Sequence, residues 1–146
     1  MRIYLDMCSI QRPLDTKVQP RIAVEAEAIL GVLTLCEAGQ VELMTSDTLV
    51  FELERNPHPV RKTCALEVLA KAKVFIQTDN QIAERARTLQ AEGIKPVDAL
   101  HLASAVEAKA DYFCTCDDRF LNRAKAVDTG QTKAVSPLEL ITEVTK

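Results

Sequence analysis

Short strand-like runs alternate along this chain with longer stretches whose apolar residues recur at helical spacing. That alternation limits the fold more than any other feature. "RIYLD" (2–6) begins the chain as a strand. From Arg21 to Ala38, Ile22, Ala26, Ile29, Leu33 and Cys36 fall on one helical face, and Gly39 follows as a helix-ending residue. "VELMT" (41–45) predicts a second strand, after which Ser46 caps a short helix through Arg55, stopped by "NPHP". Pro59 suits a first helical position, with Val60, Cys64 and Val68 as the apolar stripe behind it. "KVFIQ" (73–77) predicts a third strand, "TDNQ" (78–81) has capping-box spacing, and Gly93 closes the helix it opens. A further helix runs from about Pro96 to Lys109. "DYFCT" (111–115) is a fourth strand with a helix near 118–126 behind it, and "SPLE" (136–139) opens a last helix. Strands separated by helices need crossover connections, so the sheet is largely parallel and helices cover both of its faces. The fold class is α/β.

The 146 residues fit one domain, 1–146, which at this length buries roughly 68–70% of its unfolded surface. Hydrophobic content of 47% beside 27% charged residues is the composition of a globular chain, which excludes a disordered one. No apolar run reaches bilayer-crossing length, and "MRIYLDMCSI" lacks the h-region of a signal peptide, so the expectation is a cytoplasmic protein with no membrane partner. Five cysteines without a CxxC spacing are expected to be free, buried thiols in a reducing compartment. A net charge of -3 argues against bulk electrostatic attraction to nucleic acid. It is compatible with a nuclease whose negative charge is concentrated at a metal site.

In open α/β sheets, function gathers beyond the C-terminal ends of the strands, where the strand order reverses. Acids stand at those places. Asp6 closes the first strand, Asp117 and Asp118 follow the fourth, Glu52 and Glu54 lie behind the second, and Asp98 opens the helix leading into the fourth. Asp6 alone reads as a turn carboxylate. Asp98 resists so plain a reading, because it shares a stripe with Leu102 and Ala105 on a helix that Ala99, Leu100, Ala103 and Val106 make apolar nearly all round. A carboxylate on a buried stripe needs a compensating partner, and only Lys95 and His101 are near in sequence. A metal would serve. Relative to the Leu49–Leu53 stripe, Glu52 lies roughly 80° away and Glu54 roughly 120°, so Glu52 is the more inward of the two.

Together Asp6, Glu52, Asp98 and Asp117 resemble the four-acid pattern of the PIN domain, the nuclease fold that includes the VapC-type toxins. "YLDMCSIQRP" is similar to the family's opening strand and first acid, and "TSDTLVFELER" to its Ser-then-Glu segment. "PVDALHLASA" resembles its helix-borne Asp, and "FCTCDDRF" its T-x-D-x-x-F ending. The resemblance spans essentially the whole chain. It implies a three-layer α/β/α fold with strand order 3-2-1-4-5 and Mg²⁺- or Mn²⁺-dependent hydrolysis of RNA. Asp6, Asp98 and Asp117 would hold the metal, and Glu52 would bind a water or a second cation. Asp117 would be the ligand of the doubled acid, Asp118 the helix-opening residue. Relatives of the VapC type also imply a cognate antitoxin and a homodimer. One departure stands out: the residue after the first Asp is often polar, commonly Asn, and here it is Met7, with Ser9 as the candidate substitute.

Other candidates are plainer. Cys114 and Cys116 share a strand face but lack further soft ligands for zinc, so core thiols are the better reading. His101, at i+3 from Asp98, reads as a residue that holds a carboxylate or packs in the core, more than as a general base. His58 sits in a loop signal, and four glycines in total leave no phosphate-cradling loop. Arg12 and Arg119, and less so Arg123, are candidates for phosphate contact or for simple neutralisation of the acids. A phosphoacceptor receiver module would need a lysine after its last strand, whereas Lys133 precedes "AVSP". A PIN-like module without catalysis, binding RNA or protein, is the remaining alternative.

Overall fold

The computed structural model describes residues 1–146. Five parallel strands, β1 (Arg2–Leu5), β2 (Glu42–Ser46), β3 (Val74–Ile76), β4 (Tyr112–Cys114) and β5 (Lys133–Val135), form one sheet in the order β3-β2-β1-β4-β5. Eight helices flank it: α1 (Met7–Gln11), α2 (Pro20–Glu37), α3 (Asp47–Glu54), α4 (Pro59–Leu69), α5 (Asn80–Ala91), α6 (Pro96–Glu107), α7 (Asp118–Ala126) and α8 (Pro137–Val144). Ile3, Tyr4 and Leu5 are each fully buried although successive strand residues point to opposite faces, so both sides of the sheet are covered. α2 packs on α8 and α5 on α6, and the apolar cluster between these layers runs through β1, β2, β4 and α6. No helix is long and apolar enough to cross a membrane.

Strand β1 sits between β2 and β4, with Tyr4 level with Met44 on one side and Phe113 on the other. The chain leaves β1 toward β2 and β3, then returns past β1 to β4, so the order reverses between β1 and β4. The cleft at such a reversal opens beyond the C-terminal strand ends. There the backbone N–H of Asp6 donates to the carbonyl of Cys114 at 3.1 Å, extending the ladder by one bond and holding the first acid against the end of β4.

Several local expectations differ from the structure. β5 carries only three residues, too few for a periodic signal, and α1 follows Asp6 without a break. In α4 the buried residue is Ala65, while Val60 is 70% exposed, because the helix turns its next face inward. Helix α5 is capped by Asp79, whose carboxylate accepts from the Ile82 N–H at 2.9 Å. Thr78 bonds Asp47 instead. Cys36, Cys114 and Cys116 are buried thiols, but Cys8 is exposed and Cys64 partly so.

Candidate active site

Asp6, Asp98 and Asp117 arrive on the first turn of a helix or just before one, and Glu52 lies further along α3. Asp6 is 4% exposed and caps α1, its Oδ1 accepting from the Ser9 N–H at 3.0 Å. The Cys8 thiol lies 3.1 Å and 3.3 Å from its two oxygens. Ser9 therefore serves Asp6 through its backbone, while its hydroxyl donates to the Cys114 carbonyl at 3.2 Å. It does not replace the polar side chain missing at Met7, which packs against the core.

Asp117 follows β4 across Thr115 and Cys116, and its N–H donates to the Thr115 hydroxyl at 3.1 Å. Its Oδ1 accepts from the Phe120 N–H at 3.1 Å, so Asp117 itself caps α7. Asp118 opens that helix at its first position but spends its carboxylate on Arg21 of α2. The division of labour between the paired acids is thus different from the expected one. The first acid both caps the helix and faces the cleft, and the second ties two helices together.

Asp98 stands at the third position of α6, ahead of Leu102 and Ala105, which are fully buried. Partly buried itself, it has neither a hydrogen bond nor an ion pair within the chain. Its pKa is pushed up to about 6, first by burial and then by the negative charge of Asp6, against which His101 acts. The charges of Asp117 and Glu52 raise it further. The other three acids are therefore within electrostatic reach of Asp98, and a partnerless carboxylate among like charges is the unfavourable arrangement that a cation relieves.

Glu52 is partly buried and Glu54 exposed, as the helical angles predict. Glu52 nevertheless does not line the cleft with the aspartates. Its Oε1 is hydrogen-bonded to Nε2 of His101. The expected contact between His101 and Asp98 is not made, since both ring nitrogens are engaged elsewhere: Nδ1 lies 2.6 Å from the Tyr4 hydroxyl.

A cleft of about 100 Å³ opens at the site, lined by Asp98 and Asp117 together with Gly93, Lys95, Arg119 and Arg123. Asp6 and Glu52 lie outside this lining. Nor do any three His, Cys, Asp or Glu side chains come together in an arrangement that could hold a metal ion. What does fit a hard divalent ion is the donor chemistry, since every candidate is a carboxylate oxygen.

Of the basic candidates, Arg119 and Arg123 reach the cleft, and Arg12 does not line it. Arg12 is bound to Asp15 at 2.9 Å and paired with Glu25 at 3.3 Å. Nothing in the sequence marks Glu25, yet this carboxylate is 2% exposed and also paired with Arg21 at 3.5 Å. Lys95 is the further cation of the cleft. Gly93 borders the same cleft: its φ of +99° turns the chain back, and an added Cβ would meet Nη1 of Arg123 at 2.2 Å.

This fold recurs in known proteins. Solved structures similar to the chain include FitAcB from Neisseria gonorrhoeae, with a TM-score of 0.57 at 16% identity over 93% of this chain and 98% of that one. VapBC2 from Rickettsia felis, bound to a DNA fragment from their promoter, matches with a TM-score of 0.56 at 13% identity, over 92% of this chain and 99% of that one. PAE2754 from Pyrobaculum aerophilum matches with 0.59 at 15%, over 99% and 98%. At such identities the likeness is one of fold. No curated protein matches by sequence. The family model of the PIN domain matches residues 3–126, a span that takes in β1 through α7 and with them all four acids. By that match the chain belongs to the PIN domain family.

Proposed function

We propose that the chain is a Mg²⁺- or Mn²⁺-dependent endoribonuclease of the cytoplasm and the toxin of a toxin–antitoxin pair. The observation that carries this reading is Asp98: a partly buried carboxylate with no partner in the chain, its pKa raised first by burial and then by the charges of Asp6, Asp117 and Glu52. Asp6, Asp98 and Asp117 would hold the ion and Glu52 a water or a second cation. Because no three of these side chains form a ready-made cage, water would complete the coordination, as Mg²⁺ commonly retains several waters. The bound ion would lower the pKa of the attacking water and offset charge growing on the phosphate oxygens.

The chain's own residues do the rest. Asp6 and Asp117 are fixed by their capping bonds, so their free oxygens have set directions. Lys95, Arg119 and Arg123 border the same cleft and supply phosphate contacts. Exposed apolar side chains such as Phe51 (49%), Val60 (70%) and Phe75 (59%) offer area for an antitoxin or for a homodimer contact.

A second reading, a PIN module that binds RNA or protein without cutting, is favoured by the engagement of Glu52 with His101 and by Met7. Incubating the purified chain with a mixed RNA panel separates the two. The nuclease reading expects cleavage with Mn²⁺, none with EDTA and none from Asp98→Asn. Cleavage that survives EDTA or Asp98→Asn overturns it, and tight RNA binding without cleavage in any divalent metal selects the binding module.

A further inference from the structure

A chain of hydrogen bonds runs through the core behind Glu52. The Leu49 N–H donates to the Ser46 hydroxyl at 3.2 Å, which lies 2.6 Å from the Tyr4 hydroxyl, itself 2.6 Å from Nδ1 of His101. Nε2 of His101 then meets Oε1 of Glu52. Tyr4 and Ser46 are fully buried and His101 is 1% exposed. Water cannot replace any of these bonds, and a buried polar group left without its partner costs more than the bond contributes.

The proton order follows from the ends. A carboxylate only accepts, so Nε2 of His101 carries a proton whichever way the Tyr4 hydroxyl points. The imidazole has no free nitrogen and no access to solvent, which removes it from general-base chemistry. Its edge-on packing against the Tyr4 ring, with centroids 5.7 Å apart, fixes the ring plane. Oε1 takes this bond, and no other hydrogen bond reaches the carboxylate. Oε2 is left without a partner in the chain.

We infer that His101 is a positioning residue: with Tyr4 and Ser46 behind it, it locks Glu52 in one rotamer and so fixes the direction in which the unpartnered Oε2 meets a cation or its water. This rests on the nuclease reading above, and the test separates the two. Mn²⁺ affinity of the purified chain is measured by titration of free Mn²⁺, and cleavage of a single-stranded RNA gives kcat and KM. The variants are His101→Leu, His101→Gln, Glu52→Gln and the double variant of Glu52→Gln with His101→Leu.

Loss of a partner behind a metal-site residue typically costs about 10–100-fold in metal affinity or activity. His101→Leu should therefore lose about that much in kcat or Mn²⁺ affinity with KM for RNA unchanged. His101→Gln, which keeps an N–H donor of similar reach, should recover most of the loss. The double variant should be no worse than Glu52→Gln, because a residue acting only through Glu52 has nothing left to act on. Losses that multiply in the double variant, or a His101→Gln as poor as His101→Leu, overturn the inference.

Should His101→Leu fail to fold, Tyr4→Phe keeps the rings packed and removes only the hydroxyl shared by Ser46 and the imidazole, with a smaller loss expected. Nitrogen NMR of the wild type adds a readout independent of activity: Nε2 of His101 is protonated, and finding it bare overturns the proposal. A wild type that neither binds Mn²⁺ nor cuts RNA overturns the nuclease reading and this inference with it. A wild type that does both, while the losses multiply, overturns only the inference.

Discussion

Replacing Asp98 by Asn should make the metal-free protein more stable, by an amount that depends on pH. The Asp98 carboxyl titrates near 6 in the folded chain against an ordinary 3.8. A difference of about two pH units corresponds to an upper limit of about 3 kcal/mol, at ~1.36 kcal/mol per unit. Asp98 is only partly buried, so solvent screening reduces this to a net penalty of roughly 2 kcal/mol. Because the folded value is raised, the folded chain keeps a proton that the unfolded chain has released between about pH 3.8 and 6. Stability therefore falls as pH rises through that window, and the full penalty is in place above it.

Asparagine is neutral throughout, and the carboxylate it replaces has no partner to lose. Melting curves in EDTA should show Asp98→Asn above wild type by roughly 4–8 °C at about pH 8, and level with it at about pH 4. Mn²⁺ at about a hundred times its Kd should add ~2.7 kcal/mol to wild type and nothing to the variant, closing the gap. An equal gain at both pH values would refer the effect to packing or helix propensity. A loss at the higher pH would refute the electrostatic account, and unchanged Mn²⁺ stabilisation would count against Asp98 as a ligand.

Gly93→Ala forces a side chain onto a backbone with φ +99° and against Arg123, so urea unfolding should show a loss of about 1–2 kcal/mol. Arg12→Ala leaves the buried Glu25 with Arg21 alone, and should cost roughly 3 kcal/mol in the same assay. Adding Glu25→Gln should recover part of that loss by removing the stranded charge. Ser136→Ala removes the hydroxyl half of the capping box that opens α8 and keeps the backbone half, with an expected loss of about 1 kcal/mol in thermal melts. If Lys95, Arg119 and Arg123 supply the phosphate contacts, the logarithm of RNA affinity should fall against that of salt with a slope of roughly -2, and a much steeper slope would show a larger basic surface.

The sheet was legible because its strands are separated by helices with regular apolar spacing, and Asp6, Asp98 and Asp117 were legible because each ends a strand or starts a helix. Local contests were harder. Thr78 and Asp79 both suit a cap, and the choice fell to Asp79 because Asp47 draws Thr78 toward the end of β2. Asp117 and Asp118 both suit a helix start, and what separates them is Arg21, 97 residues from Asp118 in the chain. A one-dimensional pattern ranks the residues that suit a role, but it does not carry the distant side chain that decides between them.

Glu52 shows the same limit at the site itself. Its helical angle places it on the inward edge of α3, and the structure agrees, yet the angle says nothing of where the carboxylate points. That depends on His101, 49 residues away, and on Tyr4 and Ser46 behind it. His101 looked attachable to Asp98, one turn earlier on the same helix, because i,i+3 neighbours can meet. But Asp98 lies at the cleft edge of α6, while His101 is buried against β1, where Tyr4 offers its hydroxyl at 2.6 Å. The buried donor goes to the acid that can be reached from inside the core. Asp98 is left without a partner for the same reason that Glu52 has one, and it is the unpartnered acid that faces the cleft with Asp117 and its cations.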